Sequence, residues 1–315
     1  MDNLTHSLVG AALGRAGLYR RTRYAPGALI IGANLPDIDV IGLPFGANLD
    51  FRRGMTHGPI AMAILPLVLT GLLILWSKRR GARKDDALPV RPAQLLLLSY
   101  IGVFSHPALD WLNSYGVRLL HPFSDRWFYG DSIFIIDLWI WIALGVGVFI
   151  ARRRAKRGTG DPAKPARLSL AAVAAYVALM ITGTWIARRH TYERATMEGT
   201  SVASVMAAPV PVNPFVRTVV IDYANSYRLG RVTFTPAPVL SVAFDDLDKN
   251  ADDPAVRSAV ATGAFDDFLY WSRYPYYSVT KRGDSSVVRI GDARFPGFGG
   301  VSNSFSRSVT VATPP

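Results

Sequence analysis

Long apolar runs that alternate with short basic loops constrain the fold of this chain most strongly. Four runs approach or reach the roughly 20 apolar residues that a helix needs to cross a bilayer. These runs are Pro59 to Trp76, Ala93 to Leu112, Phe134 to Ile150 and Leu168 to Ile186. Half of the 315 residues are hydrophobic and only 18% are charged, which is unlike an ordinary soluble protein. We therefore predict an α-helical integral membrane domain with about four full spans.

The net charge of +12 belongs to three loops beside these runs. Segments 15–23, 78–91 and 151–167 together hold 17 basic and three acidic residues, so the rest of the chain is close to neutral. Basic loops that flank apolar runs are typical of the cytoplasmic side of a membrane protein. A nucleic-acid-binding protein would instead carry its basic residues on one face. We expect membrane lipids as partners and no nucleic acid.

The two ends of the chain differ from its middle. Residues 3–18 and 25–35 are apolar and helical in pattern but too short to span, which predicts an N-terminal helical hairpin. After about Arg188, short alternating runs separated by Gly, Pro, Asp and Asn predict strands joined by turns. The predicted strands are 218–222, 227–235, 276–281, 286–290 and 304–311. The predicted domains are therefore a membrane-embedded helical domain over 1–187 and a soluble β-rich domain over 188–315.

Histidine and aspartate residues gather at the face opposite the basic loops. His106 and Asp110 are four residues apart, which places them one turn apart on the same side of a helix. With the basic loops in the cytoplasm, the other apolar runs bring further His and Asp residues to the same outer level. These residues are His6, Asp37, Asp39, His57, Asp131 and Asp137. The β-rich domain follows the last span and is also expected outside the cytoplasm.

A metal ion is the simplest partner for so many ionisable groups at a membrane boundary, where an unpaired charge is costly. The chain has no cysteine, so nitrogen and oxygen must bind the metal. Such ligands suit Zn, Mn or Fe, and Mg less well. We predict a divalent metal, zinc first, with one to three ions bound by His6, Asp37, Asp39, His57, His106 and Asp110. His121, Asp131 and Asp137 are secondary candidates. The alternative for Asp37, Asp39 and Asp131 is a structural role at helix ends.

Several motifs resemble the YdjM/YbcI-like family of membrane-bound, metal-dependent hydrolases. The motifs are Leu4–Leu8, Leu35–Asp39, Arg53–His57, Ser105–Gly116, Pro122–Asp125 and Asp131–Asp137. Many relatives carry a histidine before the Arg-Gly pair of the third motif, where this chain has Arg52. More remotely, the order of His and Asp residues is similar to zinc-dependent phospholipase C and S1/P1-type nucleases. The resemblance implies a multi-pass protein of the bacterial inner (cytoplasmic) membrane with an extracytoplasmic active site.

The predicted function is hydrolysis of a phosphoester or another lipid-like or small-molecule substrate. In this interpretation Asp37 and Asp39 bridge metal ions or act as general base. Arg53 or Arg52 would bind an anionic oxygen, since a guanidinium matches phosphate geometry, although either could be an interfacial anchor. The alternative function is a non-catalytic membrane protein with a structural metal and a partner-binding C-terminal domain. A metal transporter fits less well, because the ligands gather at one face rather than at the midplane.

Overall fold

Two compact units make up the chain in the computed structural model, which describes residues 1–45, 52–81, 88–295 and 305–312. The first unit contains residues 1–45 and 52–182, and the second contains the described residues from 183 onward. The boundary lies inside one long helix, slightly before the predicted boundary at 187. The first unit is helical and the second is rich in strands, which confirms the predicted combination of a helical and a β-rich region.

Six helices and three short 3-10 segments provide the framework of the first unit as described. The helices are α1 (Asn3–Arg15), α2 (Ala25–Asn34), α3 (Pro59–Arg80), α4 (Pro92–Trp111), α5 (Leu138–Arg157) and α6 (Lys164–Met197), of which α6 continues into the second unit. The 3-10 segments are Leu18–Arg20, Leu35–Phe45 and Met55–His57. Helices α1 and α2 form the predicted N-terminal hairpin.

Local sequence explains where several of these helices begin. The Asp2 carboxylate accepts a hydrogen bond from the backbone N–H of Thr5 and so caps α1. Pro59 and Pro92 occupy the first positions of α3 and α4. A backbone N–H at that position has no partner within the helix, so proline loses no hydrogen bond there. Asp137 caps α5 in the same way as Asp2 caps α1.

Glycines allow α1, α2 and α4 to pack backbone against backbone. A Cβ atom on Gly10 of α1 would lie 2.7 Å from the carbonyl oxygen of Leu29 in α2. A Cβ atom on Gly102 of α4 would lie 2.8 Å from the carbonyl oxygen of Ala28. Small residues at such crossings are typical of helices that associate in membranes. The close contact places the end of α2 beside the last turns of α4.

Within the described chain, two helices are long and apolar enough to cross a membrane, namely α3 and α6. Only 22% of the apolar window of each is buried. The prediction of about four full spans is therefore not supported. In α5 the cap at Asp137 and the basic residues from Arg152 leave about 14 apolar residues, or roughly 21 Å of helix. In α4 the final turns carry the polar residues His106 and Asp110, which are buried.

The second unit contains two antiparallel sheets. The first has the order β1 (Ser204–Pro209), β2 (Val216–Asp222), β3 (Ser226–Thr235) and β4 (Ala237–Asp248). The second has the order β5 (Pro275–Arg282), β6 (Ser285–Asp292) and β7 (Ser306–Ala312), and two short helices, α7 (Pro254–Ala261) and α8 (Asp266–Trp271), precede it. The predicted strands correspond to β2, β3, β5, β6 and β7, although Ser304 lies outside the described residues. Strands β1 and β4 and both helices were not predicted.

A buried ion pair stabilises the second sheet. The carboxylate of Asp292, at the end of β6, accepts hydrogen bonds from Ser272 Oγ at 2.6 Å and from the guanidinium of Arg294. The Arg294 guanidinium also lies 4.5 Å from the ring centre of the fully buried Trp271. Both charges are thus satisfied within the protein, which is the condition under which burial of an ion pair is tolerated.

Candidate metal centre

Four stretches of the first unit deliver polar side chains to one buried place. His6 comes from the second turn of α1, and Asp37 and Asp39 come from the 3-10 segment that follows α2. His57 ends the 3-10 segment before α3. His106 and Asp110 lie one turn apart near the end of α4, as the spacing of four predicts.

Four of these residues form a group with the geometry of a metal site. One ligand atom from each of Asp37, His57, His106 and Asp110 lies within 4.8 Å of the others. His106 Nε2 is 3.6 Å from Asp37 Oδ1 and 3.5 Å from Asp110 Oδ2, and His57 Nε2 is also 3.5 Å from Asp110 Oδ2. Ligands bound tetrahedrally at about 2.1 Å from zinc are about 3.4 Å apart. Three of the distances therefore suit one ion.

Burial leaves several polar atoms of this group without a hydrogen-bond partner. The exposed fraction is 6% for Asp37 and 1% or less for His57, His106 and Asp110. Among the described residues, the Nε2 atoms of both histidines and Oδ1 of Asp37 have no hydrogen-bond partner. A buried polar atom without a partner costs about 1–3 kcal/mol. The donor set of two imidazoles and two carboxylates fits zinc and similar divalent metals, and an ion bound there would satisfy these atoms together.

Hydrogen bonds on the far side of both imidazoles direct Nε2 into the group. His106 Nδ1 lies 2.7 Å from the carbonyl oxygen of Ala33, which can only accept, so Nδ1 carries the proton. His57 Nδ1 lies 3.0 Å from Thr56 Oγ1, and the Thr56 hydroxyl donates to Asp39 Oδ2 at 3.4 Å. Such partners fix the tautomer and orientation of metal-binding histidines. The arrangement leaves the Nε2 lone pair of each ring facing the group.

The protonation states also match those that metal binding requires. Burial lowers the pKa of His57 well below the usual value for an imidazole, and burial together with the neighbouring His106 lowers that of His6. Neutral imidazoles are the form in which histidines bind metals.

The two oxygens of Asp110 face two different sets of atoms. Oδ2 faces His57, His106 and the Nε atom of Arg53, which is 3.1 Å away. Oδ1 faces the Met1 amino group and His6 Nε2, which is 3.4 Å away. The His6 ring stacks on His106 with centroids 3.8 Å apart. His6 therefore lies beside the group of four, at a place where Asp110 could bridge to a second ion.

Asp39 and the two arginines surround the group. Asp39 Oδ2 accepts a hydrogen bond at 2.8 Å from the backbone N–H of Arg53, and burial raises the pKa of Asp39. Arg53 is buried and donates to Asn113 Oδ1 and the Gly116 carbonyl as well as contacting Asp110. The Arg52 side chain is 28% exposed and lies 3.5 Å from Asp37. Of the two guanidiniums, that of Arg52 is the more accessible to a substrate.

The structure does not bring the three secondary candidates into the group. The Asp137 carboxylate caps α5 and also accepts a hydrogen bond from the Tyr176 hydroxyl at 3.0 Å. His121 pairs with Asp125 at 3.1 Å in a loop. Asp131 is buried with a left-handed backbone, φ 50°, and Asp137 rather than Asp131 caps the third predicted span.

Sequence reasoning missed two residues that support the group. Thr56 connects His57 to Asp39, and Asn113 accepts a hydrogen bond from Arg53 at 3.2 Å. Both lie inside motifs already singled out, Thr56 directly before His57 and Asn113 three positions after Asp110. Polar residues beside predicted ligands were therefore the available signal.

Comparison with known proteins assigns the chain to a family. The sequence model of the YdjM inner membrane protein family matches residues 1–189, which include the whole candidate centre. The chain belongs to the YdjM inner membrane protein family. No curated protein and no solved structure matches it. The remoter likeness to phospholipase C and S1/P1-type nucleases finds no support in these comparisons.

Membership of the YdjM family and the two candidate spans together indicate that the chain is a membrane protein. The match ends at residue 189, shortly after the boundary between the two units. All six predicted ligands lie in the part that the family shares. The β-rich unit lies almost wholly outside it.

Proposed function

We propose that the chain is a metal-dependent hydrolase of the inner membrane whose catalytic site is the centre formed by Asp37, His57, His106 and Asp110. The observation that carries the proposal is the burial of four convergent donor residues whose facing atoms lack hydrogen-bond partners. Their donor set suits zinc. A divalent ion bound there would polarise the substrate and lower the pKa of water, which is the chemistry that hydrolysis needs.

The side chains around the ligands have separate roles in this proposal. Thr56 and Asp39 orient His57 through the hydrogen bonds described above. Arg53 balances the charge of Asp110 from inside the protein, because its guanidinium is buried there. Arg52, which is partly exposed and lies beside Asp37, binds an anionic substrate oxygen. Asp39 is a candidate general base, because burial raises its pKa and its Oδ1 atom accepts no hydrogen bond among the described residues.

The substrate class that suits these charges is a phosphoester. Arg52 offers a planar donor fork that matches two phosphate oxygens. Phosphoester hydrolysis places negative charge on oxygens that both a divalent ion and a guanidinium stabilise. An uncharged ester would not need the second cation.

We further propose a multi-pass topology with the centre on the extracytoplasmic side. Helix α3 ends in Lys78, Arg79 and Arg80, and α5 ends in a basic run from Arg152 to Arg157. These basic ends favour the cytoplasm. The ligands lie at the other ends of the same bundle, before α3 and near the end of α4. The β-rich unit follows α6 and is likewise placed outside the cytoplasm.

The test combines metal analysis with hydrolysis by the purified full-length protein. We expect bound zinc and cleavage of bis(p-nitrophenyl) phosphate, with both lost in His106→Ala. His121→Ala is the matched control, because His121 lies in the same unit but outside the group. Hydrolysis that survives both His106→Ala and metal removal would refute the proposal.

One observation favours a second candidate function. Three of the four donor residues are 1% exposed or less, which is typical of a structural metal rather than of a site open to substrate. In that case the ion would stabilise the helical unit, and the β-rich unit would bind a partner. Bound metal without cleavage of any phosphoester or ester, together with unfolding when the metal is removed, would support this function instead.

A further inference from the structure

An apolar groove between α3 and α4 ends at the candidate metal centre. The groove has a volume of about 510 Å³, within the range of small-molecule sites. Its lining includes Met62 and Ala63 of α3 and Phe104 and Trp111 of α4. His57, a member of the metal group, is also among the lining residues, and its own side chain is fully buried behind the groove.

A hydrogen bond crosses the groove at the Tyr100 end. The Tyr100 hydroxyl donates to the Ala63 carbonyl at 3.2 Å and so bridges α4 and α3. From Tyr100 to Trp111 the lining residues follow α4 for about 16 Å.

The side chains along the groove match an acyl chain. Phe104 and Trp111 are 50% and 42% exposed, and they stand as walls on either side of the small Ala108. Apart from His57, the Tyr100 hydroxyl and the indole N–H of Trp111, the side chains of the lining residues are apolar. The groove lies on α3, a candidate span whose surface is mostly unburied, so membrane lipid has direct access to it.

Charge at the His57 end favours a phosphoester headgroup. Arg52 is partly exposed and lies 3.5 Å from Asp37, which belongs to the same metal group as His57. A phospholipid whose acyl chain follows the groove would have its polar part at this end, next to a cation. The groove is apolar along its length and has a cation near one end. This arrangement complements the apolar acyl chain and the anionic phosphate of a phospholipid.

We propose that the substrate is a membrane phospholipid, whose acyl chain binds between α3 and α4 and whose phosphoester lies at the His57 end of the groove. This inference rests on the proposed hydrolase function and specifies its substrate class. The groove then selects lipids by their acyl chain, and the metal centre acts on their phosphoester headgroup.

The first experiment measures binding without relying on catalysis. The full-length protein in lipid nanodiscs is irradiated with a phosphatidic acid that carries a diazirine in its acyl chain, and crosslinked peptides are mapped by mass spectrometry. We expect crosslinks concentrated on the segments lining the groove and reduced at least fivefold by Ala63→Trp, which fills it. Ala175→Trp is the control, because Ala175 is exposed on the other candidate span. Crosslinks spread evenly over α3, α4 and α6 would show bulk lipid contact only and would overturn the groove assignment.

The second experiment compares hydrolysis of a long-chain phosphatidic acid with that of a water-soluble, short-chain analogue. Ala63→Trp should raise KM for the long-chain lipid at least tenfold more than KM for the analogue, whereas Ala175→Trp should not change the ratio. Equal effects on both substrates would overturn the inference while leaving the hydrolase function intact. Groove-specific crosslinking without cleavage of either substrate would instead refute the hydrolase function and retain the groove as a lipid site.

Discussion

Removing one imidazole from the candidate centre should abolish tight metal binding. We predict this for His57→Ala and for His106→Ala, because Nε2 of each ring faces Asp110 Oδ2 at 3.5 Å. Both variants keep the two carboxylates, so the change tests the nitrogen ligands alone.

The magnitude follows from the number of ligands. Structural zinc sites with four ligands bind with about 10–16 kcal/mol. Four residues form the group, so one ligand accounts for about 2.5–4 kcal/mol if the contributions are equal. That energy corresponds to a roughly 100- to 1,000-fold increase in Kd. His106→Ala should also cost about 1–3 kcal/mol in the metal-free protein, because the Ala33 carbonyl loses its partner.

The assay is equilibrium dialysis of the full-length protein against zinc buffered at defined free concentrations, followed by elemental analysis. Each variant is dialysed starting both from zinc-loaded and from zinc-free protein, so that slow exchange of the metal is not mistaken for high affinity. His121→Ala serves as control and should bind like the parent protein. If both ligand variants retain the parent's Kd within threefold, or if His121→Ala loses as much affinity as they do, the site is wrongly assigned.

Three further predictions concern the framework of the two units. Gly102→Val should lower the free energy of unfolding by about 1–3 kcal/mol and reduce metal content, because a side chain there meets the carbonyl oxygen of Ala28. Thermal unfolding in detergent and elemental analysis measure the two effects. Asp137→Ala should cost about 1 kcal/mol through loss of the α5 cap but leave metal content unchanged, and a loss of metal would show that Asp137 is a ligand. Burial alone would raise the pKa of Asp292. The charge of Arg294 and the hydrogen bonds that Asp292 accepts outweigh burial and hold that pKa at about 2. Because the folded pKa is depressed, Asp292 should contribute about 2 kcal/mol above pH 4 and lose it as the pH falls to 2. Hydrogen exchange of β5 and β6 in the full-length protein, corrected for intrinsic rates, should show this loss, and Asp292→Asn should remove the pH dependence.

The four residues of the group were among those that the sequence predicted to converge, together with others that the structure places elsewhere. Placing the basic loops on one side brings His57, His106, Asp37 and Asp110 to the other, and the structure places ligand atoms of these four within 4.8 Å. The prediction succeeded because charge placement and helix period constrain the level and the face of a residue.

The role of Asp39 could not be predicted in this way. Asp37 and Asp39 differ by two positions in a 3-10 segment, and the sequence gives no sign of which one points to the ligands. The carboxylate of Asp39 instead accepts from the backbone N–H of Arg53, which has a left-handed φ of 54°. Such a conformation is unusual for a residue other than glycine and depends on the surrounding structure.

The number of spans was overestimated for a different reason. Hydropathy counts apolar residues but does not show where a helix begins, and Asp137 starts α5 after part of the apolar run has passed. For α4 the apolar run is real, but its last turns supply the centre and are buried against α2. Strands β1 and β4 were missed because their neighbours in the sheets, rather than a local pattern, stabilise them.

The near-complete burial of the four donor residues has a kinetic consequence. An ion bound there would be enclosed by side chains that are 6% exposed or less, so its release would require the 3-10 segments that carry Asp37 and His57 to open. Its residence time would then be set by the rate of that local opening. Since the affinity of such sites alone does not select the biologically correct metal, the bound ion would be the one available in the compartment where the chain folds and closes around it. The metal found in the purified protein should therefore record the conditions of its biogenesis.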